Sequence, residues 1–124
     1  MTPNELEFFR RLQRAMPDTH FFPQVAMSAL VTPSASNPKI RLAAFRRISQ
    51  KRVDYAAYTE QMNLLCVIEL DDSTHNAKND HLRDQVLMSA GIRTVRWQSK
   101  KKPSELDIQT RLQQLRNDEK ELSR

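Results

Sequence analysis

One glycine and one cysteine in 124 residues remove several classes of protein at once. Gly91 alone cannot build the glycine-rich loops that cradle nucleotide phosphates on a helix N-terminus. Cys66 alone allows neither an intramolecular disulfide nor a cysteine-based zinc site, and its place inside the apolar run "LLCVIEL" marks it as a core side chain. No apolar stretch reaches the roughly 18 residues that a membrane-spanning helix needs. The N-terminus, "MTPNELEFFRR", has acid and arginine where a signal peptide requires a basic start and an apolar segment, so a cytoplasmic location is expected. Aromatics make up only 6% and hydrophobic residues 39%, which suits a soluble domain with a modest core. The length fits a single domain over 1–124, with a core at about 3–98 and a C-terminal amphipathic helix at about 104–121.

What the chain has in excess is positive charge, +5 in all, and it is clustered. Arg10, Arg11 and Arg14 form one group, Arg41, Arg46, Arg47, Lys51 and Arg52 a second, and Lys100, Lys101 and Lys102 a third. Such clusters can neutralise phosphates, but many basic domains carry them without that role. They acquire meaning only beside a site.

The expected elements follow from caps, breakers and periodicity. Thr2, Pro3 and Glu5 form a capping box that starts a helix running to about Ala15, with Leu6, Phe9 and Leu12 on its apolar face. "HFFPQVAMSAL" reads as an edge strand because it contains Pro23, and "IRLAAFRRISQ" reads as a short helix. "RVDYAAY" and "LLCVIEL" are strands joined by a hairpin-length "TEQMN". Leu82, Val86 and Leu87 mark a helix over about 79–90 that Gly91 ends, and "IRTVRW" follows as a strand. Ser104 and Asp107 cap the last helix, whose apolar side carries Leu106, Leu112 and Leu115.

The chemistry gathers at "VIELDDSTH", where Glu69, Asp71 and Asp72 follow a buried-looking strand and His75 lies just beyond. Residues two apart share a strand face, so Glu69 and Asp71 face one way and Ile68 and Leu70 the other. A hairpin centred between Gln61 and Met62 sets Asp54 opposite Glu69. Like charges so placed need a solvated strand end, a basic neighbour or a divalent cation held by oxygen ligands. Mg²⁺ fits the last case, since it takes one or two carboxylates and completes its shell with water and phosphate oxygens. The same acids also fit the rim of an exposed hairpin.

"KRVDY", "VIELDDSTH", "RDQVL" and "GIRTVRW", in that order, resemble the PD-(D/E)xK nucleases, and most nearly the very-short-patch-repair-like branch and the domain of unknown function family 2726. The resemblance runs from Glu5 to about Trp97. It implies a three-layer α/β/α restriction-endonuclease-like core with a central mixed sheet. It also implies a metal held by residues matching Asp54 and Glu69, with Glu5 of the first helix bordering the site. The superfamily places a lysine where this chain has Asp71; the related branches carry an acid there, followed by a histidine that matches His75. That leaves the general base open. His75 is one candidate and is otherwise a polar turn residue, whereas Lys51 supplies an ammonium or belongs only to the basic surface. Arg83 pairs with a carboxylate, contacts phosphate, or sits on a solvated helix start beside Asp80 and Asp84. Trp97 stacks on a base or packs in the core, and His20 and His81 have no partners at ligand spacing.

The expected activity is Mg²⁺- or Mn²⁺-dependent hydrolysis of DNA phosphodiesters. Asp54, Glu69 and Asp71 would serve the metal, with Glu5, His75 and Lys51 also in the site. Arg46, Arg47, Lys51, Arg52 and Arg83 would hold the DNA backbone. Two alternatives remain: a nucleic-acid-binding module of the same fold without catalysis, and an interaction domain whose acidic hairpin is only surface.

Overall fold

The computed structural model describes residues 1–31, 46, 50–72 and 77–122, with backbone alone at 77–80, 121 and 122. Helix α1 spans Pro3–Ala15 and opens on the expected capping box, Thr2 Oγ1 accepting from Glu5 N at 3.1 Å and Glu5 Oε1 from Thr2 N at 3.2 Å. It buries Phe8, Leu12 and Ala15, and not the Leu6–Phe9–Leu12 stripe expected from the sequence. The observed set has the i, i+4, i+7 spacing of a face laid flat on a sheet, and Phe9 flanks it, stacked on Tyr55 at 6.3 Å.

Strands β1 (His20–Ala26), β2 (Arg52–Tyr58), β3 (Leu64–Asp71) and β4 (Thr94–Gln98) form one mixed sheet in the order β1-β2-β3-β4. β1 is an edge strand, which is why Pro23 is tolerated in it. The strand ends at Ala26, and Met27–Leu30 turn into the short helix α2. β2 and β3 pair antiparallel with Tyr55 opposite Ile68, Ala56 opposite Val67 and Ala57 opposite Cys66, the register expected from the sequence; beside the turn Tyr58 pairs with Leu64, and a shift between Ala57 and Tyr58 joins the two registers. Met62 takes a positive φ of 67° to close the turn. The helix expected in "IRLAAFRRISQ" lies outside the described residues apart from exposed Arg46 and Gln50.

β3 and β4 are parallel, joined through helix α3 (Ala77–Ser89). Gly91 N donates to Met88 O and Ile92 N to Leu87 O, while Gly91 holds a φ of 76°. These two bonds around a left-handed residue are a Schellman stop, and they release the chain into β4.

Two apolar clusters lie on opposite faces of the sheet. Phe8 and Leu12 of α1, with Ile108, Leu112 and Leu115 of the last helix α4 (Glu105–Leu122), cover Tyr55, Cys66, Ile68 and Val95. Met27 of α2 and Leu87 of α3 cover Val53 and Val67. The result is a three-layer α/β/α arrangement in which α4 is part of the core. Leu106, expected on the apolar side of α4, is exposed, and Ile108 takes that role because it shares the i, i+4, i+7 face with Leu112 and Leu115. Trp97 packs edge-on against Phe8 at 6.0 Å, in the core sense of its two readings. Cys66 is buried, which pushes its thiol up to about 12 and leaves it unreactive. Among the described residues, no helix is long and apolar enough to cross a membrane.

Candidate functional site

Parallel pairing of β3 and β4 brings their carboxyl ends to one edge of the sheet, and the N-terminus of α1 reaches the same edge. Tyr55, fully buried in β2, fixes α1 there by donating from its hydroxyl to Glu5 O at 2.7 Å. Burial raises the Tyr55 phenol well above its ordinary value, so the hydroxyl stays a donor.

At this edge the β2–β3 ladder changes character. Paired positions end at Tyr55–Ile68, and Leu70 N donates at 2.8 Å to the side-chain Oδ2 of Asp54 instead of continuing a backbone ladder. Across on β1 the register passes from Pro23–Tyr55 to Val25–Val53, leaving Gln24 abreast of Asp54 with a left-handed φ of 56°. A residue with a side chain rarely adopts that conformation, and when it does the surrounding structure must hold it. Here Gln24 Nε2 donates to Glu5 Oε2 at 2.8 Å. The sequence reading missed Gln24, since nothing in "FFPQVA" marks it beyond its place after a proline.

Asp54 and Glu69 come together as the hairpin register implies, with their carboxyl groups within hydrogen-bonding reach of each other. Glu69 is only 3% exposed. Burial, and then the charge of Asp54, push its carboxyl up to about 8, against the opposing pull of Arg83. Asp54 is also raised, by burial first and with Glu5 adding to it, while the Leu70 N–H works the other way. Arg83, from α3, sets Nη2 3.3 Å from Glu69 Oε1 and donates from Nη1 to Arg52 O at 3.2 Å. Among the described residues Glu69 Oε1 still has no hydrogen-bond partner. Of its three sequence readings, Arg83 therefore takes the one in which it pairs with a carboxylate.

Asp71 lies two residues further on and is held differently. Arg96 of β4 donates from Nη1 to Asp71 Oδ1 at 2.9 Å and from Nη2 to Asp84 Oδ1 of α3 at 2.6 Å. This fork ties strand, strand and helix together beside the carboxylate pair. Lys51 is half-buried just before β2, and its carbonyl accepts from Met27 N at 2.9 Å. Arg52 and Arg46 are exposed. His75 and Arg47 lie outside the described residues.

Asp54 and Glu69 offer oxygen ligands only, with one buried oxygen unsatisfied and two raised carboxyls that a nearby cation would return to the ionised form. That donor chemistry fits a hard divalent ion such as Mg²⁺ or Mn²⁺. Among the described residues no set of three His, Cys, Asp or Glu side chains could hold a metal, so two protein carboxylates are what this edge supplies.

Fold and edge together define a three-layer α/β/α domain in which a buried carboxyl, Glu69, and a half-buried one, Asp54, meet at the carboxyl end of the parallel strands. The chain belongs to the family described as Protein of unknown function (DUF2726), whose sequence model matches residues 1–115. No curated protein and no solved structure matches it.

Proposed function

We propose that this domain is a metal-dependent phosphodiesterase acting on DNA, with a restriction-endonuclease-like core and a divalent ion held by Asp54 and Glu69. The observation that carries the reading is the Asp54–Glu69 pair itself. A buried carboxyl, Glu69, and a half-buried one, Asp54, are set against one another at a cost that neither the Arg83 contact nor the Leu70 N–H removes. Structural burial of a carboxylate ordinarily comes with a full set of partners, and strained, perturbed acids concentrate at sites of chemistry.

A bound Mg²⁺ or Mn²⁺ would lower the pKa of a bound water and offset charge on the scissile phosphate. The chain's own residues do the rest. Leu70 N–H orients Asp54, and Gln24 fixes the Glu5 carboxylate beside the pair. Arg83 stabilises the ionised form of Glu69 and anchors α3 to β2 through Arg52 O. Arg96 holds Asp71 clear of free rotation, leaving its other oxygen available to the outer shell of the site. Lys51, Arg52 and Arg46 would meet the DNA backbone, with Arg47 beside them in sequence. His75, four residues past Asp71, remains the candidate base.

The test is incubation of purified protein with plasmid and single-stranded DNA in Mg²⁺, Mn²⁺ or EDTA, beside Asp54→Ala. Cleavage that needs the metal and disappears in the variant supports the reading. Metal-independent DNA binding without cleavage under any divalent ion would instead support a catalytically inactive nucleic-acid-binding module.

A further inference from the structure

The run Lys100-Lys101-Lys102 looks uniform in sequence, but the structure divides it. Lys102 is drawn inward: its Nζ donates to Asn4 Oδ1 at 2.7 Å and to Glu7 Oε2 at 2.9 Å, both on α1. Next to it, Arg11 donates from Nη1 to Pro103 O at 2.8 Å. Lys100 and Lys101 end the 3₁₀ turn Ser99–Lys101, are exposed, and have no ion-pair partner among the described residues. The start of that turn is pinned by Asn4 Nδ2 donating to Ser99 Oγ at 2.8 Å. One lysine is an anchor, and two are presented outward by it.

The place where they are presented matters. Gln98 of β4 pairs with Asp71 of β3, and Arg96 with Glu69, so the turn leaves the sheet at the edge that carries the carboxylate pair. Asn4, which pins the turn, directly precedes Glu5, whose charge bears on Asp54. Two strand rises and two 3₁₀ rises put Lys100 on the order of 10 Å beyond Arg96. At about the Debye length of physiological salt, that is too far to neutralise the carboxylates but suits the phosphates on either side of one bound between them. Lys51 and Arg52 stand at the other side of the same edge, at the start of β2.

We propose that Lys100 and Lys101 form a second phosphate-contacting rail, so that a nucleic-acid backbone crosses the carboxylate pair between them and the Lys51–Arg52 side. This rests on the nucleic-acid reading above and extends it to a surface outside the residues assigned there. The anchor at Lys102 fixes the backbone that carries the rail, because four side-chain hydrogen bonds hold the segment 99–103 to α1. With that backbone already in place, only the Lys100 and Lys101 side chains lose freedom on binding.

The experiment is fluorescence anisotropy with a labelled duplex in EDTA, from 50 to 200 mM salt, for the wild type, Lys100→Gln/Lys101→Gln, and Arg116→Gln/Lys120→Gln. The last pair removes the same charge from the far end of α4, where Arg116 lines a groove with Ala15 and Met16 at the opposite end of α1. Each phosphate contact contributes a slope of about 0.9 in log K against log salt. Loss of two contacts should therefore make the Lys100/Lys101 variant fall about tenfold less than wild type over that range. The Arg116/Lys120 variant should keep the wild-type slope. Equal slopes for the wild type and the Lys100/Lys101 variant would overturn the rail, as would equal reductions in both variants. If the wild type shows no salt-dependent binding at all, the nucleic-acid reading fails first and takes the rail with it; if it binds with an unchanged slope in the Lys100/Lys101 variant, only the rail fails.

Discussion

Glu5 and Glu7 lie two residues apart on α1 and belong to carboxylate sites of opposite character. Glu7 sits near the surface, receives Arg11 and Lys102 together, and its carboxyl is held below the usual range by Lys102 first and Arg11 second. Glu5 lies beside Asp54 and Glu69, where burial raises both carboxyls, the charge of Asp54 adds to it at Glu69 and that of Glu5 at Asp54, and Arg83 and Arg96 only partly compensate. The Glu7 site is complete as it stands and ties the 99–103 segment to α1. The Asp54–Glu69 site is stable only because the hairpin register and two covering layers force it. A cluster of charges that is fully paired among its own neighbours serves the fold, whereas one the fold holds against its own electrostatics is positioned for something else.

The largest expected effect falls on the strained side. Asp54→Ala should reduce metal-dependent cleavage about 10³-fold or more, the loss expected when several kcal/mol of metal-borne charge stabilisation disappears. DNA affinity in EDTA should hold or rise, because a negative charge beside phosphate is gone. A variant that cleaves within tenfold of the wild type would remove the contrast between the two sites.

Stability against pH separates them by sign. For Glu69 the folded value of about 8 lies above the ordinary 4.5, so the folded chain holds an extra proton between those values. Its contribution is fully present below about pH 4.5 and is lost as pH rises through about 8. For Glu7 the folded value lies below 4.5, so its contribution is present above that pH and is lost on acidification. Ion-free protein should therefore lose on the order of 1 kcal/mol per pH unit between about pH 5 and 8 in urea titrations. Glu69→Gln should flatten this slope and leave the acid limb unchanged. A wild type equally stable at pH 5.5 and 8 would mean that the pair is not strained.

How much of this was legible in the sequence varies with the kind of signal. Capping boxes at Thr2–Glu5 and Ser104–Asp107, and the stop at Gly91, are local and read correctly. The β2–β3 register at Asp54 and Glu69 also matches, but the five-residue connection gives it only with the irregularity between Ala57 and Tyr58, which no sequence signal marks. The helix faces read less well. Phe8 and Phe9 are equally apolar, and only the sheet beneath α1 decides that Phe8 is buried with Leu12 and Ala15; Ile108 displaces Leu106 on α4 for the same reason. Of the site, Asp54, Glu69 and Glu5 were legible, because strand alternation and hairpin arithmetic place the first two and the resemblance the third. Gln24 was not, since its left-handed backbone and its bond to Glu5 arise where β1 meets α1 and leave no local pattern in the sequence. Nor could charge counting tell that Arg11 and Lys102 are internally paired while Lys100 and Lys101 are not.

The Tyr55 hydroxyl ties the end of α1 that carries Glu5 to the sheet, and removing it should have a middle-sized effect. Tyr55→Phe deletes the bond to Glu5 O and should cost about 1–2 kcal/mol in denaturant unfolding, with weaker metal binding as α1 loosens from the sheet edge. An unchanged midpoint would show that α1 is held by Phe8 and Leu12 alone.

The smallest effect belongs to the paired side. Lys102→Ala leaves Glu7 with Arg11 and should cost about 0.5–1 kcal/mol, the range of a partly exposed pair, with no change in metal affinity. If it weakened metal binding as strongly as Tyr55→Phe, the two sites would be one coupled network and the contrast drawn between them would be wrong.

The central claim is that Asp54 and Glu69 form a divalent-cation site, and Mn²⁺ calorimetry at pH 7 in two buffers of different ionisation enthalpy tests it most directly. Because a carboxyl raised to about 8 is mostly protonated at that pH, the account predicts stoichiometric Mn²⁺ binding that releases close to one proton and that is lost in Glu69→Ala. Equal Mn²⁺ binding by the wild type and Glu69→Ala, or no heat from the wild type in either buffer, would contradict it.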